Sequence, residues 1–273
     1  MTAMPMVRIP GGRILVGSDA HYPEERPARE VDVAPFRIDR AAVSNREFAE
    51  FVARTGWITA AEKMATPGSL LFRMTSGPVD LHNPALWWSF VPGANWRCPE
   101  GPGSDIAARQ DHPVVHVARE DAEAYCIWRG TRLPSEWEWE AACRGGLRGA
   151  AFAWGDEFSP NGELRANIWT GAFPWYFARE GRPGTCAVDR YAPNGYGLYG
   201  TIGNVWEWTS SRYAGGGCCG PATPQHGELV TVRGGSYLCA AEYCQRYRPA
   251  ARIGVEAATT TGHIGFRCAR SEG

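Results

Sequence analysis

Two cysteines five residues apart, Cys239 and Cys244, are the most chemically distinctive side chains of this 273-residue chain. Thiolates are soft ligands that favour Cu(I), zinc or iron–sulfur clusters, and two thiolates alone suit a low-coordinate soft metal best. Positions five apart point to opposite faces of a strand and lie roughly 140° apart on a helix. The two sulfur atoms can therefore meet only if the segment bends as a loop. Spacing alone favours a simpler alternative, a short-loop disulfide or two buried thiols.

Cysteine content and compartment bear on that choice. The chain has nine cysteines, an odd number, and it is long enough to fold without disulfide support. The N-terminus lacks a signal-peptide pattern, and no apolar run approaches the ~20 residues that span a membrane. We therefore expect a cytoplasmic protein with reduced thiols, which favours metal or redox chemistry for Cys239 and Cys244. Cys218 and Cys219, adjacent in a glycine-rich loop, are predicted to be ordinary thiols.

Composition predicts a loop-rich fold and excludes some partners. The 33 glycines, 20 prolines and 12 tryptophans indicate irregular backbone held by large aromatic side chains. The 28 basic and 29 acidic residues nearly cancel and form no basic stripe, so nucleic acid is an unexpected partner. No repeat or linker divides the chain, and a single compact α+β domain is the simplest prediction.

Capping residues and periodicity predict three helices and several short strands. The helices are predicted after Ser44, at Arg119 and from the turn Leu133–Glu136. In the third helix, Pro134 and Glu136 are predicted to lie in the first turn, and Trp137, Ala141 and Ala142 to face inward. Strands are predicted within residues 9–17, 31–33 and 36–39. Residues 64–112 have no clear period and are predicted to be long ordered loops, and residues 150–273 to be short strands and loops.

Dense motifs follow one another along nearly the whole chain. They include Val43-Ser-Asn-Arg-Glu-Phe48, Arg132-Leu-Pro-Ser-Glu-Trp-Glu138, Gly203-Asn-Val-Trp-Glu-Trp208, Arg233-Gly-Gly-Ser236 and Gly265-Phe-Arg-Cys268. With these motifs the chain resembles the formylglycine-generating enzymes, or sulfatase-modifying factors, from about residue 6 to residue 270. The third and fourth motifs mark a wider superfamily that includes non-copper members. The added pattern Ser-Tyr-Leu-Cys-x4-Cys-x-Arg-Tyr-Arg marks the oxidases.

The resemblance implies a fold and an activity. The fold is a single loop-rich α+β domain over residues 1–273, low in regular secondary structure and distantly related to C-type lectins. The implied reaction oxidises a cysteine of a protein or peptide substrate, such as a sulfatase, to Cα-formylglycine with O2 and external reducing equivalents. Cu(I) is implied to be held linearly by Cys239 and Cys244, with the substrate cysteine as a third thiolate. We expect a monomer without nucleic-acid or membrane partners.

Two further residues acquire roles through the resemblance. The hydroxyl of Ser236 is implied to face the oxygen or substrate-sulfur site, and Trp206 to line it. The alternatives are a turn residue after Gly234 and Gly235 and a core tryptophan.

Calcium is the second implied cofactor, because the family places clusters of hard oxygen ligands at two sites. The first site maps, across a one-residue deletion, onto Asn167, the carbonyl of Ile168, Glu180 and the carbonyl of Arg182. The second retains the carbonyls of Gly203 and Val205 and the carboxylate of Glu207, but Gly200 replaces an asparagine ligand. The alternative for Glu207 is a buried, hydrogen-bonded carboxylate without metal.

Other positions depart from the family pattern or pair within it. Cys143 and Cys268 match a pair that forms a disulfide in some relatives. In the stretch that borders the family's substrate groove, Val255 and Ala258 replace an asparagine and an aspartate, which predicts an altered peptide preference. His263 is predicted to be a surface-loop histidine.

Two alternatives to the oxidase stay open from the sequence. One is a superfamily relative that modifies another thiol or a peptide natural product. The other is a non-catalytic lectin-like binding module, which has no need of two convergent thiolates. A sulfoxide-synthase relative needs an additional histidine-rich iron-binding domain, whereas this chain has six scattered histidines.

Overall fold

Short strands and four helices, separated by long loops, make up the computed structural model, which describes residues 5–214 and 228–272. The strands are β1 (Val7–Ile9), β2 (Gly12–Val16), β3 (Arg29–Val33), β4 (Phe36–Ile38), β5 (Gly68–Phe72), β6 (Trp88–Pro92), β7 (Trp206–Arg212), β8 (Leu229–Arg233), β9 (Arg252–Glu256), β10 (Ile264–Gly265) and β11 (Ala269–Ser271). The helices are α1 (Asn45–Thr55), α2 (Ala60–Lys63), α3 (Arg119–Arg129) and α4 (Glu136–Cys143). Cys218 and Cys219 lie outside the described residues.

The strands form two sheets and two ribbons. A four-stranded sheet has the order β10-β7-β8-β9, in which only β10 and β7 are parallel. In the three-stranded sheet, β1 and β11 flank β4 and so bring the two ends of the described chain together. Strands β2 and β3 pair, as do β5 and β6. The predicted α+β, loop-rich fold class is confirmed.

Local sequence signals explain where the helices begin and end. The Ser44 side chain accepts a hydrogen bond from the Glu47 amide while Glu47 reaches back to the Ser44 amide, a capping box that starts α1. Gly56 ends α1 in the left-handed conformation, at φ 68°. Helix α3 runs as predicted from Arg119, and its Tyr125 packs on Phe48 of α1. No helix among the described residues is long and apolar enough to cross a membrane.

Two sequence predictions about the elements are wrong in part. Strands β5 and β6 lie within residues 64–112, where the exposed and buried positions do not alternate cleanly and the period is hidden. Helix α4 begins at Glu136 after the cap Ser135, so Pro134 precedes it. Ala141 and Ala142 are buried as predicted, but Trp137 is only half-buried, and the fully buried aromatic residue of α4 is Trp139, which is 1 % exposed.

Buried ion pairs fix helix α4 and the N-terminal turn to the four-stranded sheet and its loops. Among the described residues, six arginines make seven ion pairs with glutamates in which both side chains are only 0–9 % exposed: Arg144–Glu140, Arg233–Glu136, Arg233–Glu140, Arg246–Glu24, Arg248–Glu25, Arg252–Glu136 and Arg267–Glu207. Most of these arginines also donate to backbone carbonyls, for example Arg233 to Pro249 and Arg252 to Glu24 and Ala214. Buried carbonyls need such donors where regular structure is absent. The guanidinium groups therefore supply hydrogen bonds to backbone carbonyls that have no partner in a sheet.

We predict that Glu25→Ala lowers the free energy of unfolding by about 3–5 kcal/mol, because Arg248 is left as an uncompensated buried charge. Arg248 donates to both carboxylate oxygens of Glu25 at 2.7 and 2.6 Å. The matched control is Glu272→Ala, which removes the pairs with the exposed Arg8 and Arg37 and should cost about 1 kcal/mol or less. Chemical denaturation measures the free energy of unfolding of both variants. Equal losses of stability would contradict the prediction that the buried pair matters more than the exposed one.

Candidate active site

The thiols of Cys239 and Cys244 lie on one bent loop and meet. Their Sγ atoms are 3.5 Å apart, well beyond the ~2.05 Å of a disulfide bond, and both cysteines are free. The Cys239 amide donates to the carbonyl of Ser236, and the Cys244 amide to that of Ala240. These turns curve the segment between the two sulfurs, as the spacing requires. The structure thus brings together two soft donors and no disulfide.

Glycine makes this close packing possible. Gly234 and Gly235 adopt φ values of 96° and 73°, which side-chain-bearing residues rarely adopt. A Cβ on Gly235 would lie 2.6 Å from the carbonyl oxygen of Arg246, so the chain on both sides of the cysteine pair could not approach as it does. The turn that follows directs the Ser236 amide toward the Cys239 sulfur at 3.4 Å.

The two thiols differ in acidity. Burial raises the pKa of Cys239 well above its ordinary value. The hydrogen bond from the Cys239 thiol lowers the pKa of Cys244 to about 7, and the nearby charge of Arg246 contributes in the same direction. The Arg246 Nη1 atom lies 3.6 Å from the Cys244 sulfur. The pair is therefore poised to hold a thiolate on Cys244 with a thiol donor beside it.

A turn near the N-terminus, which contains Tyr22 and Glu24, positions Arg246. The Nη2 atom of Arg246 donates to Glu24 at 2.6 Å, and the guanidinium of Arg246 lies 3.7 Å from the centre of the Tyr22 ring. The Tyr22 hydroxyl accepts a hydrogen bond from the Gln245 amide at 3.1 Å. Residues more than 200 positions away thus fix the cation beside Cys244.

A second loop braces the other side of the cysteine loop. The Trp169 amide donates to the carbonyl of Cys239 at 3.0 Å. The Phe173 amide donates to the Glu242 carboxylate at 2.8 Å, and the Phe173 and Tyr243 rings stack 4.6 Å apart. The cysteine loop is therefore held between the N-terminal turn and the loop that begins at Asn167.

Ser236 and Trp206, which the resemblance places at the site, are both buried. Ser236 is 0 % exposed, and its hydroxyl accepts from the Leu238 amide at 3.3 Å, as in a turn residue. Trp206 is 3 % exposed in the core cluster that contains Cys239, and its amide donates to the carbonyl of His263. A role of either side chain toward substrate stays a prediction.

The first calcium site is arranged differently from its prediction. The Asn167 side chain and the Ile168 carbonyl do converge, but on the guanidinium of Arg179. Glu180 is exposed and makes no hydrogen bond or ion pair with any described residue, and Arg182 is exposed at a cavity wall. The residues therefore do not fit a calcium ion as the resemblance maps it.

The second calcium site matches its metal-free alternative. Glu207 is 1 % exposed and receives hydrogen bonds from Arg267 at 2.6 and 2.7 Å and from the Trp139 indole at 2.7 Å. Arg267 also donates to the carbonyl of Gly200, the position that lacks the asparagine ligand. The Glu207 carboxylate is thus already neutralised, and the carbonyls of Gly203 and Val205 stay predicted ligands only. No group of three or more His, Cys, Asp or Glu side chains suited to a metal occurs among the described residues.

Three other positions have surroundings that the sequence did not reveal. The Cys268 sulfur lies 3.4 Å from Cys126, whereas the Cys143 thiol donates to the Thr201 carbonyl, so the structure has no Cys143–Cys268 disulfide. His263 is half-buried rather than a surface residue, with its ring 4.7 Å from that of Trp88.

A cavity of about 330 Å³ lies beside the cysteine loop. Its wall includes Tyr237, two residues from Cys239, and charged side chains of Arg73, Glu100, Arg109 and Arg182. No sequence pattern predicts this grouping, because its members come from separate segments between Leu71 and Gly262. Tyr237 is the wall residue that connects this cavity to the segment carrying Cys239.

Comparison with known proteins identifies relatives over the full length. The family model of the sulfatase-modifying factor enzyme 1-like domain matches residues 1–272. The chain is 47 % identical to a formylglycine-generating enzyme of Mycobacterium tuberculosis, covering 96 % of each protein. It is also 43 % identical to the inactive Cα-formylglycine-generating enzyme 2 of Mus musculus, covering 98 % of this chain and 86 % of that protein. Among solved structures, PvdO from Pseudomonas aeruginosa has a TM-score of 0.67 at 22 % identity, covering 98 % of this chain and 94 % of PvdO.

The acidity difference predicts selective alkylation of the metal-free protein. Cys244 should react with iodoacetamide half-maximally near pH 7, because its pKa is lowered to about 7, and the thiolate is the reacting form. Cys186, a half-buried control whose pKa burial raises to about 11, should need a far higher pH. Peptide mass spectrometry across a pH series measures both. Equal pH dependence at the two cysteines would contradict the prediction.

Proposed function

The chain belongs to the sulfatase-modifying factor enzyme 1-like family, and we propose on this basis that it converts a cysteine of a protein or peptide substrate to Cα-formylglycine. The observation that carries the proposal is the convergence of the Cys239 and Cys244 sulfurs at 3.5 Å on a glycine-dependent loop. Overall identity alone would not suffice, since a relative named inactive is 43 % identical. The proposal of enzymatic activity therefore depends on the chemistry of this loop.

We infer that Cys239 and Cys244 hold Cu(I). Two free thiols at one point form a soft donor set, and the low pKa of Cys244 provides a thiolate near neutral pH. When bound, Cu(I) would supply a redox-active centre that accepts a further thiolate and reacts with O2. A reducing compartment such as the cytoplasm suits two thiols that must stay unlinked.

The protein's own groups would prepare the site for this chemistry. Arg246 beside Cys244 compensates negative charge as thiolates gather, and Glu24 and Tyr22 fix its position. Burial of Cys239 and Ser236 restricts water around the sulfurs, which strengthens every electrostatic interaction there. The amide of Ser236 donates toward the Cys239 sulfur and stabilises electron density on it.

Recognition of the substrate is proposed to use the neighbouring cavity. Tyr237 joins the cavity wall to the cysteine loop, and the charged side chains around it can pair with polar groups that flank a target cysteine. The apolar Val255 and Ala258 replace polar groups of the family's groove, so we propose a peptide preference that departs from the sulfatase pattern Cys-x-Pro-x-Arg. A sulfatase-like protein is the natural first substrate to test.

The proposal is tested by incubating copper-loaded protein with O2, a thiol reductant and cysteine peptides of the Cys-x-Pro-x-Arg pattern and with altered flanks. We expect aldehyde formation, detected by mass spectrometry and hydrazide capture, on at least one peptide. Cys244→Ser should lower the rate at least about 100-fold, since even supporting residues of metal sites cost 10–100-fold. Cys186→Ser, a half-buried cysteine elsewhere, is the matched control and should retain activity. Undiminished conversion by Cys244→Ser would overturn the proposal.

A further inference from the structure

The guanidinium of Arg179 lies where the resemblance places a calcium ion. Its Nη2 atom donates to the side-chain oxygen of Asn167 at 2.8 Å and to the carbonyl oxygen of Ile168 at 2.7 Å. These are the two oxygens of the predicted first calcium site. We propose that Arg179 replaces the calcium ion as a built-in cation, so that this chain holds the segment without metal.

The geometry leaves no room for both cations. One nitrogen lies within hydrogen-bond distance of both oxygens, and calcium would need the same oxygens at about 2.3–2.6 Å. The arginine is also held from other directions: Nη1 donates to the Tyr191 hydroxyl at 3.3 Å, and the guanidinium lies 4.9 Å from the Phe177 ring centre. Calcium could bind there only after displacing a side chain with four contacts.

The remaining predicted ligands do not gather at this point. Glu180 is exposed and has no hydrogen bond or ion pair within the described part of the chain. Calcium usually requires six to eight oxygens, with carboxylates among them. A guanidinium needs only acceptors for its fixed N–H groups, and the Asn167 and Ile168 oxygens supply two. The oxygens gathered at this point therefore suit the terminal nitrogens of a guanidinium better than a calcium ion.

This replacement bears on the cysteine loop. Asn167, oriented by Arg179, also donates to the carbonyl of Gly184 at 2.9 Å and to Asn204 at 3.0 Å. Two residues further along, the Trp169 amide donates to the carbonyl of Cys239. Arg179 is thus a positioning residue that fixes the loop beginning at Asn167, to which the Cys239 carbonyl is hydrogen-bonded. Arg179 would hold this loop in the same way whether or not the chain has the proposed oxidase activity.

The test compares thermal unfolding in millimolar calcium and in chelator for the wild-type protein, Arg179→Asp and the control Arg190→Asp, an exposed arginine of the same loop. The wild type and Arg190→Asp should show the same midpoint in both conditions and carry no stoichiometric calcium by elemental analysis. Arg179→Asp places a carboxylate beside the two oxygens. In chelator its midpoint should fall by about 3 °C or more, and calcium should restore at least half of the loss.

Terbium, a luminescent calcium probe, gives a second readout because the adjacent Trp169 can sensitise it. Saturable one-to-one luminescence is expected for Arg179→Asp and not for the wild type. One-to-one calcium or terbium binding that stabilises the wild type would overturn the inference, as would an Arg179→Asp protein that loses stability yet ignores calcium. If Arg179→Asp does not fold in chelator, refolding only with calcium supports the replacement, and the wild-type measurements still decide it.

Discussion

Buried arginine–carboxylate pairs are the constraint on which this loop-rich structure depends. The loop between β8 and β9 carries the cysteine pair and has no strand partner of its own. Arg233 at its start pairs with Glu140, and Arg252 at its end pairs with Glu136, so both ends are fixed to helix α4. Charges buried in pairs cost much to separate, since removing one partner leaves the other without water or counter-ion. The pairs thereby fix both ends of the cysteine loop to α4, in addition to the β8–β9 ladder in which Arg233 and Arg252 lie opposite each other.

The same interactions produce the chemistry of the site. Arg246 is both an anchor to the N-terminal turn, through Glu24, and the cation nearest the Cys244 sulfur. Burial favours the neutral form of Cys239, while hydrogen bonding and charge favour the thiolate of Cys244. Two chemically identical side chains five residues apart thus acquire different protonation states from their surroundings.

Features that depend on neighbouring residues could be predicted from the sequence. The capping box at Ser44 predicted the start of α1, and the five-residue spacing correctly required a bend between the cysteines. Contacts between residues distant in sequence could not be predicted. Glu24 and Arg246 are 222 positions apart, and no sequence pattern indicates that they form a hydrogen bond. Arg179 shows a third case. The oxygens of a cation site were recognised, but the cation is a side chain that a family-based mapping does not anticipate.

Whether Cys239 and Cys244 together form one soft-metal site is decided by the stoichiometry of Cu(I) binding. The reduced protein is titrated against a Cu(I) chelator of known affinity, in parallel with Cys239→Ser, Cys244→Ser and the control Cys186→Ser. We expect tight one-to-one binding in the wild type and in the control, and loss of that binding in each of the other two variants. One-to-one binding that survives either Cys239→Ser or Cys244→Ser would contradict it.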